Sequence, residues 1–291
     1  MSEARPEERA DLAPGLDREV VARVVHTALA EDLGPEGDVT TQATVDADTV
    51  ATARLVSRQR GVVAGLPVAA YVFDVVGEGR VEMDLQRADG DRVEPGHVLA
   101  VVRGPLRDLL TAERTALNLL GHLSGVASLT RQWADAIAGT SARVRDTRKT
   151  MPGLRHLEKY AVRVGGGVNH RMSLSDAALV KDNHVVAAGG VVPAFRRVRE
   201  QYPGLPLEIE VDTVAQAREV IEAGADLVLL DNMPPAAMHE VVEFAAGRAW
   251  LEASGRLSLD NARAVAESGV HYLAVGALTH SAPVLDIGLD M

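Results

Sequence analysis

Apolar residues along this chain repeat with two different periods, and the change between them divides the sequence. Arg18–Leu33 carries apolar positions at helical spacing and stops at Gly34-Pro35, which predicts a helix there. From Ala51 to Gly104 the pattern becomes short runs with turn signals, ATARLVSRQRGVVAG and then DGDRVEPGHVLAVVRG. Asp89-Gly90 and Pro95-Gly96 are turn dipeptides within it, so the stretch reads as a small β domain with one helix near Leu66–Val76. Leu109–Ala138 reads as a long helix, with a break expected at Gly121–Gly125. Residues 1–16, charged and Pro-containing, read as a frayed, disordered tail.

Beyond Ala138 short apolar runs recur, each ending in a polar residue or glycine: 143–149, 177–182, 207–212, 226–232, 249–255 and 271–277. Helical segments at 191–201, 213–224, 236–247 and 259–269 separate the later ones. Strands alternating with helices imply βαβ units and a parallel sheet. Six such strands within about 135 residues predict a barrel or near-barrel. In barrels of this kind chemistry gathers at the C-terminal ends of the strands. Those ends carry Arg148 and Lys149, then Lys181, Glu210, Asp231, Ser254-Gly255 and Gly276. Cations, two carboxylates and two glycine turns therefore meet on one rim.

Composition narrows the partners. The 291 residues carry 30 Lys+Arg against 41 Asp+Glu, a net charge of −11, which argues against nucleic acid or an anionic membrane as ligand. The absence of cysteine excludes disulfides, thiolate metal sites, iron–sulfur clusters and cysteine nucleophiles. No apolar run approaches the ~20 residues of a membrane span, and the opening MSEARPEERADLAPGLD is too polar for a signal peptide, so a cytoplasmic location is expected. Only three of the basic residues are lysine, Lys149, Lys159 and Lys181, and all fall in one segment. From Arg143 to Lys181 there are nine Lys/Arg against three acids, so an acidic chain carries one strongly basic stretch.

The rim cations suit a carboxylate or phosphate-bearing ligand. Glu210 and Asp231 suit either ribose hydroxyls or a divalent metal, and Mg²⁺ shared with substrate phosphates fits two carboxylates better than an all-protein cage. The Ser254-Gly255 and Gly276 turns follow the last two strands, where barrels often bind phosphate on backbone N–H groups. In LEIEVD, Glu208, Glu210 and Asp212 alternate, so each is also open to being an outward surface charge. His26, His97, His122, His239 and His271 read as structural, as does His170 taken alone. Arg155 and Lys159 stand at i, i+4 on a helical stretch, either solvated or edging the site.

One long run is specific. RDTRKTMPGLRHLEKYAVRVGGGVNHRMSLSDAALVKDNH (145–184) closely resembles the signature of the quinolinate phosphoribosyltransferase family. EDLG with GDVTT (31–41), GVVAG (61–65), LLTAERTALNLLGHLSG (109–125), EVD (210–212), LLDN (229–232), LEASG (251–255) and YLAVGALTHS (272–281) extend the likeness over nearly the whole chain. The resemblance implies transfer of the phosphoribosyl group of 5-phosphoribosyl-1-pyrophosphate to quinolinate with Mg²⁺, giving nicotinate mononucleotide, pyrophosphate and carbon dioxide in NAD biosynthesis. No organic cofactor is implied. It implies an N-terminal open β-sandwich with α-elements (17–110, joined by 281–291) and an incomplete parallel α/β barrel (111–280). It also implies a homodimer or a hexamer of dimers, in which Arg114 enters the neighbouring subunit's site. Arg148, His170, Arg171 and Lys181 would hold the quinolinate carboxylates, and Lys149 would stand between the two substrates. Glu210 and Asp231 would bind the ribose and the metal, and these two with Lys149 form the implied catalytic set. Ser254, Gly255 and Gly276 would cradle the 5-phosphate beside His280, with backbone contacts from Thr147 and Ala277. Arg256 departs from the family pattern, which has a small or amide residue there. The glycines of Arg163–Val168 would permit a lid.

Overall fold

The computed structural model describes residues 12–291. Residues 1–11 of the expected tail lie outside the described residues; within its remainder the Leu16 N–H closes a turn on the Ala13 carbonyl at 3.1 Å. Two compact units emerge. The first takes the chain up to Leu129 with Thr150–Gly165 and Thr279–Met291, and the second takes Thr130–Lys149 with Gly166–Leu278.

In the first unit, α1 (Arg18–Leu33) starts at Asp17, whose carboxylate accepts the Glu19 and Val20 amides. A short α2 (Val39–Thr44), capped in the same way by Asp38, carries no apolar periodicity and is not signalled by the sequence pattern. There follow β1 (Val50–Ser57), β2 (Gly61–Val62), α3 (Leu66–Gly77), β3 (Glu82–Leu85), β4 (Arg92–Val93) and β5 (Val98–Pro105). The C-terminal strand Ile287–Asp290, β1, β5 and β3 form an antiparallel sheet in that order, and β2 pairs with β4.

The long helix α4 (Leu106–Ala136) runs 31 residues without the break expected at its glycines. Gly121 and Gly125 lie against the segment 283–285 instead. The Leu285 N–H donates to the Gly121 carbonyl at 3.0 Å. A Cβ on Gly121 would sit 2.9 Å from the Leu285 carbonyl oxygen, and one on Gly125 would overlap the Pro283 carbonyl. The glycines thus serve close backbone approach, not helix termination.

The sequence-derived boundary at 110/111 falls within α4, and the first unit keeps that helix to Leu129 along with α5 (Arg155–Val164). The reason is visible in the contacts of α5. Tyr160 donates to Asp89 at 2.7 Å, and Asp89 also accepts the Gly65 and Leu66 amides that open α3. Buried Glu158 accepts the Met151 N–H and meets His122 Nε2 at 2.9 Å. Lys159 is fully buried, so the i, i+4 pair with Arg155 is not a solvated face.

The second unit holds six parallel strands: β6 (Arg143–Arg145), β7 (Ala178–Val180), β8 (Leu207–Val211), β9 (Leu227–Asp231), β10 (Trp250–Ser254) and β11 (Tyr272–Ala274). Their spatial order is β6-β11-β10-β9-β8-β7. The first strand therefore pairs with the last and not with the second. The sheet has curled on itself and stays open between β6 and β7, which makes an incomplete barrel. One parallel bridge, Arg145 to Val168, places a further extended segment beside β6. α6 (Asp182–Ala188), unsignalled in the pattern, α7 (Val191–Gln201), α8 (Val214–Glu222), α9 (Pro235–Ala245) and α10 (Leu259–Glu267) connect the strands. Each strand is shorter than the run that predicted it, β6 and β11 the most. β6 ends at Arg145, leaving 147–149 in a loop, and β11 ends at Ala274 before the single turn α11 (Ala277–His280). Among the described residues no helix is long and apolar enough to cross a membrane.

Side chains alternate across a strand. Ile209, Val228, Leu230, Leu251 and Ala253 are buried on the face toward the helices. The residues between them, among them Leu229, Glu252 and Ser254, face the barrel interior and its mouth.

Candidate active site

The barrel mouth contains a cleft of about 310 Å³ within the second unit. Thr147, Arg148, Lys149, His170, Arg171, Lys181 and Ser254 line it, over a base of Leu179, Leu229, Glu252 and Ala274. Seven residues singled out in the sequence are thus brought together by three different structural routes. The loop after β6 supplies 147–149, the segment after Val168 supplies His170 and Arg171, and the ends of β7 and β10 supply Lys181 and Ser254. Burial, with the Arg148 charge next to it, holds the Arg171 guanidinium below its usual pKa. Cations crowded in this way are stabilised by an anionic ligand.

Glu210 and Asp231 stand at the ends of neighbouring strands. Lys181 Nζ is paired directly with Glu210. Glu210 also borders a small recess of about 140 Å³ with Asp182 and Asp212. Asp231 lies opposite Ser254 in the β9–β10 register and accepts the Asn232 side-chain amide at 2.5 Å. Asn232 has φ 54° and donates its own N–H to the Ser254 carbonyl at 2.9 Å. Gly255 has φ 81°, and the Asn232 side chain fills the space a Cβ there would take. Arg256, exposed, has φ 51°, a left-handed conformation that glycine or asparagine adopts more readily. Two partly exposed carboxylates on adjacent strands are hard oxygen donors, a set that fits Mg²⁺ completed by substrate oxygens and water. Gly276 and Ala277 lead into α11, whose last residue, His280, pairs with the Ser281 hydroxyl at 2.6 Å. Arg114 is an exposed residue of α4 in the first unit. Val168, at the end of the glycine loop, is tied to β6 through the Val144 carbonyl and the Asp146 amide at 2.9 and 3.1 Å.

Beneath the cleft lie charged residues that sequence reasoning did not single out. Glu208 and Glu252 are 2% and 0% exposed. Glu208 Oε2 is 2.7 Å from His170 Nε2, and Glu252 Oε2 is 2.5 Å from an Arg145 guanidinium nitrogen. Burial pushes both carboxyls up to about 7. The Arg171 N–H donates to His170 Nδ1 at 2.7 Å. Both ring nitrogens of His170 are therefore engaged within the protein. His170, Glu208 and Glu252 bring potential ligand atoms within 4.8 Å of one another, the composition of a cation site. Because Nδ1 accepts, the ring proton sits on Nε2, so the ring meets Glu208 as a donor and not as a ligand. A signal for these residues existed. Glu208 shares strand parity with Glu210, and Glu252 shares it with Ser254.

An incomplete α/β barrel whose mouth joins a cation-lined cleft to carboxylates and a glycine turn defines an enzyme acting on anionic, phosphate-bearing substrates. The chain belongs to the quinolinate phosphoribosyltransferase family: residues 38–124 match the family's N-terminal domain and residues 126–290 its C-terminal domain. It is 52% identical over 271 residues to the nicotinate-nucleotide pyrophosphorylase [carboxylating] of Mycobacterium leprae, covering 92% of this chain and 95% of that one. It is 39% identical to a probable enzyme of the same name from Bacillus subtilis, over 90% of each chain. The solved structure of NadC from Streptococcus pyogenes matches with a TM-score of 0.91 at 39% identity, over 97% of this chain and 98% of that one. That of the nicotinate-nucleotide pyrophosphorylase from Francisella tularensis matches with a TM-score of 0.90 at 33% identity, over 99% of each.

Proposed function

We infer that this chain transfers the phosphoribosyl group of 5-phosphoribosyl-1-pyrophosphate to quinolinate with loss of carbon dioxide, yielding nicotinate mononucleotide and pyrophosphate for NAD biosynthesis. The observation that carries this reading is the single cleft whose lining gathers Arg148, Lys149, Arg171 and Lys181 together with Ser254. Two carboxylates on adjacent ring carbons call for several cations, and a monocarboxylate calls for fewer.

Arg148, Arg171 and Lys181 hold the two carboxylates, and Lys149 lies between the ring and the pyrophosphate. Glu210 and Asp231 bind the ribose hydroxyls and offset the positive charge that develops at the ribose C1 as pyrophosphate departs. The same two carboxylates would hold Mg²⁺, whose charge would stabilise the leaving pyrophosphate. Ser254, Gly255, Gly276 and Ala277 offer polar groups to the 5-phosphate, with His280 nearby, and the Thr147 backbone borders the ring. Holding the pyridine nitrogen against C1 supplies the proximity the displacement needs. Ribosylation makes the ring cationic; the bond to the carboxylate beside nitrogen then breaks, carbon dioxide leaves, and the electron pair left on that carbon, stabilised by the adjacent cationic nitrogen, takes a proton from water.

The test is one incubation with the phosphoribosyl donor and Mg²⁺, comparing quinolinate with nicotinate. Nicotinate mononucleotide with stoichiometric carbon dioxide from quinolinate alone is expected. Product from nicotinate without carbon dioxide would overturn the substrate. The enzyme works as a homodimer or an assembly of dimers in which Arg114 reaches the partner's cleft. Mixing inactive Arg114→Ala and Lys149→Ala subunits should then restore activity in verified mixed dimers, and no rescue would refute the shared site.

A further inference from the structure

The segment Asn169–Arg171 has no regular secondary structure and follows the glycines 165–167. Such a stretch has many conformations to lose before it can present a side chain accurately. Yet nearly every polar group in it is fastened to buried groups of the barrel wall. Asp146, fully buried, accepts the Asn169 side-chain amide at 2.5 Å and the His170 N–H at 2.8 Å. Arg145, braced by buried Glu252, donates to the Asn169 carbonyl at 3.4 Å. Glu208 takes His170 Nε2 at 2.7 Å, and His170 Nδ1 takes the Arg171 N–H at 2.7 Å. The Arg171 guanidinium then donates to the Ala177 carbonyl at 2.8 Å while it faces the cleft.

The order of these bonds has a chemical consequence. A neutral imidazole has one donor nitrogen and one acceptor. An acceptor at Glu208 fixes the proton on Nε2. Only with the proton there does Nδ1 keep a lone pair for the Arg171 amide.

We propose that Glu208 is a positioning residue for substrate recognition: it fixes the His170 tautomer, the tautomer fixes the Arg171 backbone, and Arg171 is thereby aimed at the substrate carboxylates. His170 acts through Arg171 in this arrangement. Its imidazole is a strut, not a cation offered to the ligand. The proposal deepens the assignment of Arg171 to quinolinate and rests on it.

The experiment compares the full-length enzyme with Glu208→Gln, Glu208→Leu and Arg171→Ala, with separate KM values for quinolinate and for the phosphoribosyl donor. Glu208→Gln keeps an oxygen acceptor for Nε2–H, so its quinolinate KM should stay within about threefold of wild type. Glu208→Leu should raise the quinolinate KM tenfold or more and leave the donor KM unchanged. Nitrogen NMR of histidine-labelled protein should show a protonated Nε2 and bare Nδ1 at His170 in wild type and Glu208→Gln, with that pattern lost in Glu208→Leu. If Glu208→Leu does not fold, His170→Gln takes its place and should show the same selective KM defect. A loss of thermal stability with both KM values unmoved would make the network structural only and overturn the proposal. Arg171→Ala separates the two levels. If it leaves the quinolinate KM unchanged, the placement of the carboxylate pocket fails. If it raises that KM and Glu208→Leu does not, only the positioning role of Glu208 fails.

Discussion

Lys181 and Glu210 are bonded directly to each other across the ends of β7 and β8. One is assigned to quinolinate and the other to the ribose and metal, so without ligands each satisfies the other. Quinolinate drawn to Lys181 loosens its hold on Glu210, and a cation or ribose hydroxyl drawn to Glu210 frees Lys181. The two substrates should therefore bind with positive coupling.

Glu210→Gln tests that coupling. It removes a negative charge beside a dianion's pocket and leaves Lys181 without its partner. Quinolinate should bind the variant several-fold more tightly in calorimetry. kcat/KM for the phosphoribosyl donor should fall by about a hundredfold, on the scale of one lost electrostatic contact at a reacting centre. Weaker quinolinate binding would show that Glu210 helps hold the acid and does not compete for Lys181.

The Ser254-Gly255-Arg256 turn yields a second expectation. Gly255 has φ 81°, and a Cβ there would strike the Asn232 side chain that holds Asp231. Gly255→Ala should raise the donor KM and leave that for quinolinate unmoved. Arg256 occupies φ 51°, so Arg256→Gly relieves left-handed strain of about 1 kcal/mol and should raise the unfolding temperature slightly. If the arginine also touches the 5-phosphate, the same substitution raises the donor KM; an unmoved KM places it in solvent.

Much of the barrel was legible because its apolar runs end in polar residues at the strand ends or in the loops just after them. α7 occupies the stretch that its periodicity predicts, Val191–Gln201. The rim cations were legible for the same reason. Glu208 and Glu252 were not, although they lie on the strands that were read. An alternating stretch such as Glu208-Ile209-Glu210-Val211-Asp212 has two faces, and local sequence does not say which one the curled sheet turns inward. The choice is made by β6 pairing with β11, a contact between residues far apart in the chain. Lys159 was left open between a solvated face and the site's edge by a similar ambiguity, since helical spacing identifies a face without naming what covers it.

Burial, followed by the neighbouring Glu208 charge, pushes the Glu252 carboxyl from an ordinary 4.5 up to about 7. Between those values the folded chain holds a proton that the unfolded chain has released. Stability from this group is therefore full below about 4.5 and is lost as pH rises through about 7. Glu252→Gln cannot titrate and should flatten the dependence of the unfolding temperature on pH from about 5 to about 8. Relative to wild type, the variant should look most favourable at the alkaline end. Parallel profiles for the two proteins would place the proton elsewhere.

Gly125 in α4 gives a prediction in which sign decides the cause. If it were only a poor helix former, Gly125→Ala would stabilise the chain by about 1 kcal/mol. The structure gives the opposite sign. A methyl at this position would overlap the Pro283 carbonyl, a backbone atom that cannot rotate aside. The segment 283–285 would have to lift, straining the 3.0 Å bond from Leu285 to the Gly121 carbonyl and the packing of buried Leu285. Overpacking of this kind costs about 1–3 kcal/mol. At roughly 2–4 °C per kcal/mol for a chain of this size, the thermal midpoint of Gly125→Ala should fall by about 2–12 °C. A rise instead would mean that the C-terminal segment does not rest on the helix as described.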